Sequence, residues 1–186
     1  MQKELYKNLY KTQSIRLKDW DYRMNAAYFV TICTKDKAHY FGRIIEDSKM
    51  IYSSMGIIAD VLWCEIKNHN KNIELSDFII MPNHIHGILI LQNEYIDDEM
   101  METGHALSLQ KTIGKNRFQN IGKNSLSSII GSYKSAVTKH ANRLGLEFAW
   151  QSRFYEHIIR NEQAFEKITN YILANPENWV NDELNL

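Results

Sequence analysis

Apolar and polar positions follow each other along this chain in blocks that change their period. "YFVTICT", Tyr28 to Thr34, is β-branched and aromatic and runs into the turn-forming "KDK", which predicts a buried strand. "FGRIIEDSKMIYSS" predicts a short hairpin around Glu46 to Lys49. From Ser54, a residue type that caps helices, apolar side chains recur at Ile57, Ile58, Val61, Leu62 and Ile66, a helical stripe. "NIELSDFIIMPNHIHGILIL" holds two apolar runs broken only at Pro82 and Asn83, the signature of a second hairpin. Residues 92–124 are polar, Asn- and Lys-rich and weakly periodic, so a flexible insertion over 93–123, with at most a short helix, is expected there rather than a second domain.

Periodicity resumes in "SLSSIIGSYKSAVTKHANRLG". It predicts a helix that starts near Ser125 or Ser127, ends before Gly145, and turns Ile129, Ile130, Tyr133, Val137 and Leu144 inward. "FAWQSRFYEHIIR" predicts a further strand. "NEQAFEKITNYILANPENW" predicts a last helix capped by Asn161, with Phe165, Ile168 and Ile172 on its apolar face and Pro176 ending it. The order strand, helix, strand, strand, helix, strand, helix gives an α+β fold class. The expected architecture is a ferredoxin-like (split βαβ) antiparallel sheet with helices on one face and an open face for a ligand, followed by a C-terminal helix.

Length and charge refine this. At 186 residues the chain reads as a single domain, 1–186. No apolar run approaches the roughly 18 residues that cross a bilayer, and the N-terminal stretch lacks a secretory apolar segment, so a cytoplasmic protein with no membrane partner is expected. Cys33 and Cys64 are too few for a disulfide framework or a zinc knuckle, and core packing accounts for them. Net charge is zero, yet no Asp or Glu lies between Thr103 and Leu146 while Lys111, Lys115, Arg117, Lys123, Lys134, Lys139 and Arg143 do. A balanced total can thus hide a phosphate-tracking face, or merely a solvated helix surface. The acids Glu94, Asp97, Asp98, Glu99 and Glu102 sit just before that window.

The chemistry-bearing stretch is "MPNHIHGILIL". Side chains two apart on a strand share a face, with Cα atoms about 6.5 to 7 Å apart, so His84 and His86 can converge on one cation. Ile85, with Ile88, is expected to anchor the strand from below. Alone, the pattern leaves two readings open: a two-ligand platform, or partly exposed strand histidines that bind nothing. A hard divalent cation also wants oxygen ligands. Tyr171 and Asn175 are four apart in "NYILANP" and so lie within about 40° of one helix face, an amide oxygen beside a phenol. Their plain readings are a half-buried aromatic and a helix stop.

Taken together, "MPNHIHGILIL", "WQSRFYEHIIRNEQAFEKITNYILANPENW" and "YFVTICT" resemble the single-tyrosine HUH transposases, in particular the REP-associated tyrosine transposase branch, over about Asp19 to Trp179. The resemblance implies that His84 and His86 bind Mg²⁺ or Mn²⁺ with help from Asn175. It implies that Tyr171 attacks single-stranded DNA carrying a hairpin, leaving a 5′-phosphotyrosine link and a free 3′-OH. Trp150, Gln151, Arg153 and Phe154 match the family's W-Q-x-R-F segment, with Glu156 and His157 after it. Lys134, Lys139, Arg143 and Arg153 are the expected DNA contacts, and Trp150 or Tyr155 could stack on bases. Both monomers and homodimers occur in such a family. Other readings are a non-catalytic ferredoxin-like nucleic-acid-binding module, a hydrolase using metal-bound water, and a domesticated nickase of host repeats.

Overall fold

The fold comes from a computed structural model, which describes residues 5–6, 9–10, 22–93 and 124–185. The expected insertion lies almost wholly outside the described residues. Strands β1 (Leu5–Tyr6) and β2 (Leu9–Tyr10) form a two-residue hairpin. The central antiparallel sheet uses β3 (Ala26–Cys33), β6 (Ile73–Ile80), β7 (His84–Leu91) and β8 (Tyr155–Ile159) in the order β6-β7-β3-β8. The first predicted hairpin is present as β4 (Gly42–Ile45) and β5 (Lys49–Tyr52), outside the main sheet. Helices α1 (Ser54–Cys64), α2 (Ile66–His69), α3 (Leu126–Arg143) and α4 (Glu162–Leu173) complete the α+β architecture. Among the described residues no helix is long and apolar enough to cross a membrane.

Period two sorts the strands onto two faces. Tyr28, Val30 and Ile32 of β3 and Ile85 and Leu89 of β7 point into the larger core, beneath α1 and α3. Trp63 of α1 stacks on Phe78 and meets Tyr133 of α3 edge-on, and the Tyr133 hydroxyl donates to Ala59 O at 2.9 Å. Gly87 lets the indole lie on the sheet: a Cβ there would come within 2.3 Å of Trp63 Cζ2. On the opposite face Phe29, Ile88, Ile159 and Ile172 form a smaller cluster under α4, joined by Phe165 and Ile168.

Several local expectations shift. The buried face of α1 is Met55, Ala59 and Trp63, while Ile57 and Val61 are more than half exposed, so the inward stripe is rotated from the predicted one. The segment is apolar nearly all round, and Trp63, the largest group, takes the core. Its N-cap is Ser53, whose hydroxyl accepts from Gly56 N, rather than Ser54. In α3, capped by Ser125, Leu144 lies past the helix and is exposed. Gly145 follows at φ +65°, the left-handed stop its sequence position suggested. Ile88 does not sit below the histidines with Ile85; it shares their face. The residues before β8 are irregular but for a bridge from Trp150 to Thr34.

Candidate metal and nucleophile site

His84 and His86 leave β7 on the α4 face and are almost fully buried, not displayed on an open sheet. Their ring centroids are 4.4 Å apart. Each ring is held from behind. Thr31 Oγ1, directly across the β3–β7 register, meets His86 Nδ1 at 2.9 Å. Asn83 Oδ1 meets His84 Nδ1 at 2.8 Å. Both Nε2 atoms therefore face the space between sheet and α4.

Helix α4 brings Tyr171 to that space. Asn161 caps the helix by accepting from Ala164 N, Ile172 is buried against the sheet, and Thr169 Oγ1 donates to Asp77 Oδ2 of β6 at 3.2 Å. Tyr171 then stands with its hydroxyl 3.3 Å from His86 Nε2 and its ring edge-on to Phe29, about half exposed. The helix ends at Leu173, so Asn175 lies in the turn beyond it rather than on the same helical face. It is nonetheless buried, and close enough to His84 and Tyr171 to influence the titration of both.

An unpredicted residue completes the cluster. Past Pro176 the chain folds back, with Trp179 buried against His39 and His84 at ring distances of 5.5 and 6.1 Å. Asp182 is thereby delivered to the histidines. One ligand atom from each of His84, His86 and Asp182 lies within 4.8 Å of the others, close enough to share one cation. No spacing in the sequence signals Asp182; a carboxylate three residues after Trp179 resembles any surface acid.

Burial dominates the electrostatics. It pushes the His84 pKa down to about 4, against the opposing pull of the Asp182 carboxylate and the Asn175 amide. His86 is pushed well below the usual imidazole range by burial and then by His84. Both rings are thus neutral, the form that ligates metal. Tyr171 is shifted upward, by burial first and by Asp182 next, so without a cation the phenol keeps its proton. Among the described residues, two of the three buried side-chain polar atoms without a hydrogen-bond partner are His84 Nε2 and Asn175 Oδ1. Such an orphan costs about 1–3 kcal/mol. Two lone pairs left bare beside a carboxylate fit a divalent cation.

The expected DNA contacts divide. Lys134, Lys139 and Arg143 line a broad groove of about 700 Å³ along α3, with Ser135, Thr138, Asn142 and Trp150. Lys134 is already engaged, its Nζ donating to Gln151 O at 2.5 Å and lying 5.6 Å from the Trp150 ring centre. Trp150 is half-buried against Phe41 and Phe148 and donates from Nε1 to Lys134 O, so it packs rather than awaiting a base. Arg153 is exposed but is not among the groove's lining residues. Tyr155 is 46% exposed and meets Phe29 edge-on, on the Tyr171 side of the sheet.

The described residues form an α+β protein with a buried histidine pair on β7 facing a tyrosine on α4, and the fold is similar to that of a tyrosine transposase. Among solved structures the chain is similar to the REP-associated tyrosine transposase bound to a REP hairpin, with a TM-score of 0.55 and 17% identity over 88% of this chain and 74% of that one. No protein-family model matches. Over 179 residues the chain is 36% identical to an uncharacterized protein of Haemophilus influenzae, spanning 95% of this chain and 94% of that one, and it belongs to the same family as that protein.

Proposed function

We propose that the chain is a metal-dependent single-stranded DNA endonuclease and strand transferase of the transposase type, with Tyr171 as nucleophile. The observation that carries this reading is the approach of the Tyr171 hydroxyl to 3.3 Å of His86 Nε2, beside the partnerless Nε2 of His84. His84, His86 and Asp182 would hold Mg²⁺ or Mn²⁺, with Asn175 Oδ1 as a further oxygen donor. When bound, the cation supplies Lewis acidity to the scissile phosphate and offsets the charge that develops there. The hairpin carried by the similar solved structure supports a hairpin-bearing single strand as substrate.

The chain's own groups perform the rest. Phe29 and His86 hold the Tyr171 ring, so its oxygen meets the phosphate with little orientational freedom to lose. As the Tyr171 oxygen bonds to phosphorus, the bond from phosphorus to the 3′-oxygen breaks. The phenolic proton leaves to water on the exposed side of the ring, and the departing 3′-oxygen takes a proton from water. The 5′-phosphotyrosine retains the energy of a phosphodiester, so a 3′-OH can reverse the step and join strands. Lys139 and Arg143, in the groove along α3, would hold backbone outside the site itself.

The test incubates the protein with a panel of labelled hairpin-bearing single strands and Mn²⁺, followed by a denaturing gel. A covalent adduct is expected in wild type, absent with chelator and lost in Tyr171→Phe. An adduct that persists in Tyr171→Phe removes Tyr171 from the reaction.

A further inference from the structure

We propose that Asn83 is a positioning residue that sets the tautomer of His84 and ties the C-terminal turn to it; the proposal rests on the metal-site reading above. Asn83 is fully buried at the corner between β6 and β7. Its main chain is locked, because Asn83 O accepts from both Thr34 N at 2.9 Å and Thr34 Oγ1 at 3.0 Å. The side chain then has three partners, and their chemistry leaves one arrangement.

Two of the partners are backbone carbonyls, Lys37 O at 3.2 Å and Leu184 O at 2.7 Å. Carbonyls only accept, so the NH₂ end of the amide must face them. That turns Oδ1 toward His84 Nδ1, 2.8 Å away. An amide oxygen also only accepts, so Nδ1 must carry the hydrogen. A neutral imidazole has one N–H, and Nε2 is left as the bare lone pair. Nε2 is the buried atom that finds no partner in the protein and that points into the site. Asn83 thus holds His84 in the one neutral form that can coordinate from Nε2, as outer partners of metal-binding histidines do.

The same amide reaches across the fold. Leu184 belongs to the turn that carries Asp182, and Leu184 N donates to Asp182 Oδ1 at 2.7 Å. One side chain therefore fixes both a histidine and the segment bearing the acidic ligand. Asp at this position would keep one oxygen as the acceptor for His84 but set the other against two carbonyls. Leu would remove both functions. Only a primary amide on a stem this short donates twice and accepts once within these distances.

The experiment uses the full chain with ¹⁵N-labelled histidine and Mn²⁺ alone as probe. NMR reads the protonation of each His84 nitrogen, and Mn²⁺ electron paramagnetic resonance reads affinity. In wild type, Nε2 is expected to carry the signature of an unprotonated, pyridine-type nitrogen. Asn83→Asp should retain that tautomer yet weaken Mn²⁺ binding, because it releases the turn that bears Asp182, while Asn83→Leu should mix the tautomers and weaken binding by about 10–100-fold. A protonated Nε2 in wild type overturns the proposal, as does a folded Asn83→Leu with unchanged tautomer and Mn²⁺ affinity. If Asn83→Leu does not fold, the wild-type and Asn83→Asp spectra decide. Failure of wild type to bind Mn²⁺ with Nε2 unprotonated would sink the metal-site reading and leave the tautomer assignment standing.

Discussion

His84 has no exposed surface, and its pKa of about 4 against an ordinary 6.5 makes it a stability determinant as well as a ligand candidate. Its folded pKa is depressed, so the unfolded chain binds more protons between those values. The stability it contributes is complete above pH 6.5 and is lost as pH falls toward 4. For the metal-free protein in chelator, chemical denaturation should show stability falling by about 1.4 kcal/mol per pH unit across that window from His84 alone. His86, also pushed down, adds to the same slope. His84→Asn should flatten the profile, and an equal slope in the variant would place the acid sensitivity elsewhere. Tyr171 illustrates the opposite displacement: burial and the Asp182 carboxylate favour its neutral phenol, so the side chain rests protonated until charge at the site changes.

Among the elements, α3 has the clearest division of labour. Leu126, Ile129, Ile130, Tyr133, Val137 and Ala141 face the core, and Lys139 and Arg143 face the groove. Periodicity marks this helix almost correctly because its two faces differ sharply in polarity. In α1 Ile57, Ile58, Val61 and Leu62 offer an apolar stripe that competes with the one through Met55, Ala59 and Trp63, and packing of Trp63 against Phe78 and Tyr133 selects the latter. If the α3 groove tracks a single strand, replacing Lys139 and Arg143 together by Ala should lower the magnitude of the slope of log K against log salt by about 0.7 for each phosphate no longer neutralised. Fluorescence anisotropy across a salt series measures this. A slope equal to that of wild type would take α3 out of the interface.

At the scale of the molecule, the site exists because three distant stretches meet: β7, the α4 turn and the segment after Trp179. Lys37 Nζ donates to Glu183 O at 2.8 Å and Asn83 donates to Leu184 O, so the last of these is pinned by main-chain acceptors rather than by its own sequence. If the proposed cation site holds, Asp182→Asn removes the anionic member of the His84–His86–Asp182 cluster and should weaken Mn²⁺ binding by about tenfold or more in a calorimetric titration. Glu183→Gln, which leaves the Glu183 carbonyl intact, should bind as wild type does. Equal affinity in Asp182→Asn would show that the cation rests on the histidines and Asn175.

Whatever depends on neighbours along the chain was legible from the residues alone. Alternation on a strand put His84 and His86 on one face, and the same rule, applied two residues further, places Ile88 with them rather than with Ile85. Cap residues bounded α3 and α4 at their starts, and the four-residue spacing of Tyr171 and Asn175 put the two near each other without giving either a role. Tertiary packing settled which face of α1 turns inward, how deeply the histidines are buried, that Asn175 lies in a turn, and that Asp182 and Asn83 lie beside the histidines. The difference lies in the range of the interactions. Periodicity and capping act over a few residues, whereas a ligand set is closed by packing between segments as far apart as Asn83 and Leu184, and no local pattern encodes that return.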